Sequence, residues 1–374
     1  MAATTDGRSA GRPTPAARCC HTATARRTRR RQLRIDNLDR VLPWVKAAQG
    51  GDSLVSWQTR LVNGLLRVTV KRRLARETMN PARVEETRAR LARLAARNTL
   101  PENVTITAVD ANGVAGEWVD APGLQVPGKT LLYLHGGAYT VGDPTLYRMF
   151  TWRLAAAACC RVLAIDYRLA PEHPYPAAVE DAVASYRWLL ENGHDGSDLA
   201  LAGDSAGGNL VLVLLQRLRA EGLPLPASAV CYSPWTDLTG SGASVTLNAR
   251  RDPMLPGHRL REAAHLYAPD ADLTDPLLSP LFANYRNLPP LAIHVGSTEV
   301  LLDDALRVAD RARSAGVEVD LTVWPSQPHV FPVLARFIPE GRQAIGQSGR
   351  FLLAHWLCAA DLRDSVSPRS RSIA

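Results

Sequence analysis

Two hydrophobic periodicities divide the chain. Across residues 53–77 (SLVSWQTRLVNGLLRVTVKRRLARE) and 81–97 (PARVEETRARLARLAAR) apolar side chains recur at helical spacing, which predicts two helices. The second opens on Asn80-Pro81, a capping residue followed by a proline whose φ already suits the first turn, and it stops before Pro101. From residue 103 the pattern changes. Residues 104–110 and 113–121 alternate apolar and polar positions around a turn at Ala111-Asn112-Gly113 and read as a hairpin. Continuous apolar runs follow at 130–136, 161–167, 198–203, 228–233, 291–296 and 319–325, the form taken by strands covered on both faces. Helical segments at 147–158, 176–191, 207–221 and 303–315 lie between them. The expected architecture is α/β: a mostly parallel eight-stranded sheet with helices on both faces and a helical cap.

The spacing of these elements breaks once, between the strands at 228–233 and 291–296. The interval is too long for an ordinary crossover and too patterned for a bare loop, so it predicts an inserted cap at about 239–275 that packs with the two N-terminal helices. The expected organisation is a disordered basic tail over 1–34, an N-terminal helical cap segment over 35–100, a catalytic domain over 101–360 and a flexible C-terminal tail over 361–374.

Charge changes this picture only at the N-terminus. The net charge is +8, and residues 1–34 hold nine arginines against one aspartate, so the rest of the chain is close to neutral. No basic face interleaved with aromatics is implied, and no nucleic-acid partner is expected. The first 34 residues lack the apolar segment of a secretory signal; a tail, a transit-type presequence and an upstream start all fit their composition. No apolar run is long enough to predict a membrane span. Cys19, Cys20, Cys159, Cys160, Cys231 and Cys358 form neither a disulfide framework nor a zinc spacing, which suits a reducing, cytoplasmic setting and implies no metal and no cofactor. A homodimer is compatible with all of this.

Candidate chemistry centres on Gly203-Asp204-Ser205-Ala206-Gly207, a G-x-S-x-G between a buried strand and a helix. A serine there sits in a tight turn with its hydroxyl projecting above the sheet, and small residues on either side let strand and helix approach. The N–H of Ala206 faces the start of the helix, where donors are unpaired. The pentapeptide alone also fits an ordinary turn. A second stretch, His135-Gly136-Gly137-Ala138, ends the strand expected beside it and offers backbone N–H groups to an oxyanion, with His135 shaping the loop. Of nine histidines, four precede Ser205, His258 and His265 fall in the insertion, His294 sits mid-strand as a core residue and His355 lies on an apolar terminal helix. His329, in a proline-flanked loop after the last strand, remains as the base. The orienting carboxylate is Glu299, with Asp303 as the second choice because it opens the next helix.

With these residues assembled, residues 100–357 resemble the hormone-sensitive-lipase family of α/β-hydrolases, in its bacterial esterase branch. The stretches that carry the resemblance are HGGAY, DYRLAPEHPYPAAVEDA (166–182), GDSAGGN, SPWTDLT (233–239), DPLLSPL (275–281) and HVF. The resemblance implies Ser205 as nucleophile, His329 as base, Gly136, Gly137, Ala138 and Ala206 around the oxyanion hole, and an N-terminal helical cap. The chain departs from the family at Ala138, where a third glycine is common, and at Glu299-Val300-Leu301, where Asp-Pro-Leu is usual. The implied activity is hydrolysis of short- to medium-chain acyl esters, small molecules, through an acyl-enzyme. Lactone hydrolysis stays open beside it. A non-catalytic receptor on the same fold is disfavoured by the presence of His329. Trp57, Met149 and segment 248–275 are candidates to line the pocket, with simple packing the commoner role for each, and no exposed apolar lid helix stands out from the sequence.

Overall fold

The computed structural model describes residues 55–123 and 125–366. The expected basic tail over 1–34 lies outside them. The eight strands are β1 (Thr105–Asp110), β2 (Ala115–Asp120), β3 (Thr130–Leu134), β4 (Arg161–Ile165), β5 (Leu199–Asp204), β6 (Ser228–Tyr232), β7 (Leu291–Gly296) and β8 (Val319–Trp324). They form one sheet in the order β1-β2-β4-β3-β5-β6-β7-β8. β1 and β2 join antiparallel, and every pairing from β4 to β8 is parallel. The hairpin turns on Asn112 and Gly113, with φ of 65° and 85°, a pair of left-handed residues that matches the twist of the flanking strands.

Nine helices cover the sheet and its upper end, among the described residues. They are α1 (Trp57–Leu66, continued through a π-helical turn at Arg67–Lys71 into Arg72–Arg76), α2 (Pro81–Ala95), α3 (Pro144–Ala158), α4 (Ala177–Glu191), α5 (Ala206–Ala220), α6 (Ser244–Leu247), α7 (His258–Tyr267), α8 (Leu302–Ser314) and α9 (Pro339–Val366). α3 packs with α9, and α4 with α5. Since α3 and α5 bridge strands wound in opposite directions from β3, right-handed crossovers place these two pairs on opposite faces of the sheet. Between them β3 and β5 are fully buried, as is α5 from Leu210 to Leu215. α3 begins three residues ahead of the expected 147, because Asp143 caps Leu146 N–H at 2.9 Å and Pro144 takes the first turn.

Two further differences follow from position in the fold. β8 reads in sequence as a doubly covered strand, yet Asp320 and Val323 are exposed, because it is the sheet edge. α9 runs to Val366, past the expected start of a C-terminal tail at 361; residues 367–374 lie outside the described region. No helix among the described residues is long and apolar enough to cross a membrane.

The winding reverses at β3: the chain moves outward to β4, then returns to the other side of β3 as β5. In open α/β sheets a crevice forms where neighbouring strands send the chain in opposite directions, above their carboxyl ends. The HGGA loop leaves β3 there and Ser205 leaves β5. The segment between β6 and β7 contributes α6, α7 and turns, and it meets the N-terminal helices. Lys71 Nζ donates to the carbonyls of Ala249 and Asp252 at 2.6 Å each, and Met79 N–H donates to Glu262 at 2.8 Å.

α1 is fastened to the body by polar groups. Glu340, at the start of α9, accepts from Ser56 N–H at 2.8 Å, Ser56 Oγ at 2.9 Å and Thr59 Oγ1 at 3.0 Å. Asn63 Nδ2 donates to the Ser326 carbonyl at 2.8 Å. Replacing Glu340 by alanine leaves the buried Thr59 hydroxyl and the Ser56 donors short of an acceptor. The expected cost is about 1–3 kcal/mol in urea unfolding, with faster proteolysis around α1.

Candidate active site

Ser205 follows the last residue of β5 and caps α5, with φ 53° and ψ −118°. That conformation is costly for a side chain, of order 1–3 kcal/mol, and must be held by its surroundings. Three backbone bonds hold it: Ser205 N–H to Tyr232 O at 2.9 Å, and Ser205 O from Asn209 N–H at 3.0 Å and Trp235 N–H at 3.1 Å. The flanking glycines are required by space. A Cβ on Gly203 would stand 2.4 Å from the Gly207 carbonyl oxygen, and one on Gly207 would stand 2.0 Å from the Leu134 carbonyl oxygen.

The loop after β8 brings His329 to the serine, with Nε2 2.9 Å from Ser205 Oγ and Nδ1 2.8 Å from Glu299 Oε2. A carboxylate only accepts, so Nδ1 carries the proton and Nε2 presents its lone pair to the hydroxyl. Glu299 is fully buried, and its other oxygen accepts from Ser233 Oγ at 2.8 Å and from Gly296 N–H at 2.5 Å. Burial raises its pKa, opposed by the hydrogen bond from His329. For His329, burial pulls the pKa down, but the hydrogen bond and charge of Glu299, with the fields of Asp252 and Asp204, lift it above the ordinary value. Asp303 is elsewhere: its carboxylate accepts from Ser244 N–H at 2.9 Å, in the first turn of α8.

The loop after β3 contains Gly137 (φ 123°) and Ala138 (φ 57°). Of the four groups expected at an oxyanion site, Gly136 N–H is already donated to Asp204 Oδ1 at 2.9 Å. The N–H groups of Gly137, Ala138 and Ala206 have no hydrogen-bond partner among the described residues. The correction at Gly136 has a clear cause: Asp204 is buried beneath the loop and gathers donors, taking Tyr133 Oη and, at 3.1 Å, Tyr147 Oη as well. Burial pushes the Asp204 pKa up to about 6 against those bonds. His135 stacks on Tyr167 with ring centres 4.3 Å apart, bonds the Gly136 carbonyl at 2.8 Å, and is pushed down to about 4 by burial. It shapes the loop, as expected. His294 is a core residue, between Trp324 Nε1 at 3.2 Å and Ser348 Oγ at 3.1 Å.

A cavity of about 350 Å3 opens over Ser205 and His329. Its walls are mostly apolar, with Leu66 and Leu74 of α1, Val84 and Leu91 of α2, and Met254, Leu255 and Leu260 from the insertion; Arg83 and Arg259 also border it. Of the candidate lining residues, segment 248–275 contributes, whereas Trp57 and Met149 do not line it; Trp57 faces outward and is exposed. The π-helical turn explains why both leucines of α1 do. Eight residues apart, they would be about 80° out of phase in an unbroken helix, and the extra residue of the turn realigns them. Among the described residues, no three His, Cys, Asp or Glu side chains converge at metal-binding spacing.

The model of a family described as alpha/beta hydrolase fold matches residues 131–333. The chain belongs to that family. It is 49 % identical to an acetyl-hydrolase of Streptomyces hygroscopicus over 63 % of this chain and 78 % of that protein. It is 31 % identical to an esterase of Acinetobacter venetianus over 79 % of this chain and 96 % of that protein. Among solved structures, an esterase/lipase from an uncultured bacterium superposes with a TM-score of 0.76 at 40 % identity, covering 81 % of this chain and 99 % of that one. An esterase from the bacterial hormone-sensitive lipase family gives 0.75 at 42 % identity, covering 81 % and 99 %. This α/β-hydrolase is therefore of the hormone-sensitive-lipase type and a carboxylesterase-like hydrolase, which hydrolyses carboxylic esters.

Sequence reading missed Ser233, Asp252 and the buried role of Asp204 in this hydrolase. Asp252 accepts from Val300 N–H at 2.9 Å, next to Glu299, and from two N–H groups of its own turn. Ser233 and Asp204 both lie inside the motifs SPWTDLT and GDSAG, but nothing local says which partner each would meet across the sheet. Gly207→Ala is expected to lower the urea midpoint by the equivalent of about 3 kcal/mol or more at unchanged slope, since backbone must move to admit the methyl.

Proposed function

We propose that Ser205 is the nucleophile, His329 the general base and Glu299 the orienting acid of an esterase acting on short- to medium-chain acyl esters. The observation that supports this most is the continuous hydrogen-bonded line from Glu299 Oε2 through both imidazole nitrogens to Ser205 Oγ, at 2.8 and 2.9 Å. Ser205 Oγ attacks the ester carbonyl carbon while Nε2 takes the hydroxyl proton. The N–H groups of Gly137, Ala138 and Ala206 receive the oxyanion. Collapse of the tetrahedral intermediate expels the alcohol, which takes the proton from Nε2 and leaves an acyl-serine. Water, deprotonated by the same nitrogen, then releases the acid. The buried Glu299 stabilises the imidazolium in both halves.

Chain length rests on the cavity. About 350 Å3 with apolar walls accepts a modest acyl group and excludes most water from the ester. A cytoplasmic setting is supported by Cys159, Cys160, Cys231 and Cys358, which are all free.

Ser205→Ala is expected to reduce hydrolysis of p-nitrophenyl butyrate by roughly 10³-fold or more; unchanged turnover would remove the proposal. Across p-nitrophenyl esters from acetate to palmitate, kcat/KM should peak in the short to medium range. A panel of lactones run beside them should be turned over more slowly than the best ester.

The pH profile tests the acid. His329 must be neutral to accept a proton, and its pKa is raised above the ordinary value, so the acidic limb of kcat/KM should lie above pH 6.5. Glu299→Gln removes the charge that opposes the effect of burial. The limb should move to lower pH while the plateau drops by roughly 10²–10⁴-fold. Asp303→Asn should leave the limb in place.

A further inference from the structure

The apolar positions of α1 face the wrong way for a helix that serves only as a wall. A surface helix ordinarily turns its apolar stripe to the core and its polar residues to water. Here the two buried residues of the first segment are Thr59 and Asn63. Trp57, Leu61, Leu65 and Val68 are 69 %, 65 %, 59 % and 62 % exposed. At 100° per residue they fall on one stripe, so four large apolar side chains form a continuous outward ridge.

The charge of the same helix is one-sided. Residues 55–76 contain six basic residues and no acidic one. Arg60, Arg72 and Arg76 are exposed and form no ion pair among the described residues. An apolar ridge beside lysine and arginine without acids is the composition of a helix that lies in the headgroup boundary of an anionic bilayer. A second copy docked on the same ridge would bring the two basic sets together, which argues against self-association through this face. The helix is also firmly held from behind by Glu340 and by the Ser326 carbonyl, so the ridge is presented rather than loosely tethered.

The inner side of α1 connects the ridge to the chemistry. Leu66 and Leu74 line the cavity over Ser205, and Val62 packs with Leu334 against the Phe331 and Ile338 cluster. Phe337, in the turn between Leu334 and Ile338, is itself 58 % exposed.

We propose that the outer face of α1 is a docking surface for anionic phospholipid, carried by the helix whose inner side walls the ester site. Trp57, Leu61 and Leu65 enter the interface, and Arg60, Arg72 and Arg76 meet the phosphates.

The test uses the full chain and vesicles of phosphatidylcholine with or without about 30 % phosphatidylglycerol. The protein should co-sediment with the anionic vesicles, far less with the neutral ones, and less in about 0.5 M salt. Leu61→Ser with Leu65→Ser breaks the middle of the ridge without changing charge. It should reduce the bound fraction roughly fivefold or more, with p-nitrophenyl butyrate hydrolysis in vesicle-free buffer unchanged within about twofold, which also reports correct folding. Equal binding by the double variant would assign the lipid affinity to the arginines of residues 1–34 and overturn the proposal. No vesicle binding by the full chain would overturn it too. So would a shift of the double variant from dimer to monomer in size-exclusion chromatography, which would make a second copy the occupant.

Discussion

The approach of β5 to α5 governs the site. β5 and α5 pass so closely that a Cβ on Gly203 would stand 2.4 Å from the Gly207 carbonyl oxygen, and α5 starts so close to the end of β3 that one on Gly207 would stand 2.0 Å from the Leu134 carbonyl oxygen. That closeness forces a reversal within one residue, and the residue is Ser205, in a backbone conformation few side chains adopt. The turn directs the hydroxyl out of the sheet and leaves Ala206 N–H at the open end of the α5 dipole. It also lets the loop after β3 settle over the turn, because Gly136 lies against Asp204. Without the close approach neither the serine nor its ring of donors would face the crevice.

Glu299 and His329 are held by a polar network in a dry place. Glu299 is buried and would be destabilised as a charge, but it gathers Gly296 N–H, Ser233 Oγ and His329 Nδ1. Ser233 also accepts Val330 N–H at 3.1 Å, so one hydroxyl ties Glu299 to the loop that carries His329. The two loops follow different strands, β7 and β8. In low dielectric such bonds are strong and their loss is costly, which keeps imidazole and carboxylate aligned. Asn248 and Asp252 of the insertion brace the loop after β7 through the Glu299 carbonyl and Val300 N–H, so the insertion and Glu299 share one support.

The cap divides its labour by helix face. α1 offers the cavity two leucines and the body two polar side chains, and it leaves its most apolar ridge outside. The π-helical turn permits this, since it realigns Leu74 with Leu66 across a break in the helix. The sequence shows apolar residues at helical spacing in this segment but not their direction, so the expectation of no exposed apolar lid helix is overturned. The inward pull comes from Glu340 and Ser326, remote residues that no local pattern reveals.

Sequence alone determined the alternation of strands and helices, because side-chain periodicity follows from backbone geometry, and it located Ser205 and the HGGA loop, because tight turns admit few residues. It also separated His329 from the other histidines by chain order. Only tertiary structure decided between Glu299 and Asp303 as the neighbour of His329: both follow β7, and their fates differ by which group each meets across space. Only tertiary structure removed Gly136 from the available donors, since its partner Asp204 is 68 residues away. Periodicity and turn chemistry are local and so are written in order along the chain. A hydrogen-bond partner, a cavity wall or an outward face depends on what folding brings near, and no local stretch of residues specifies that.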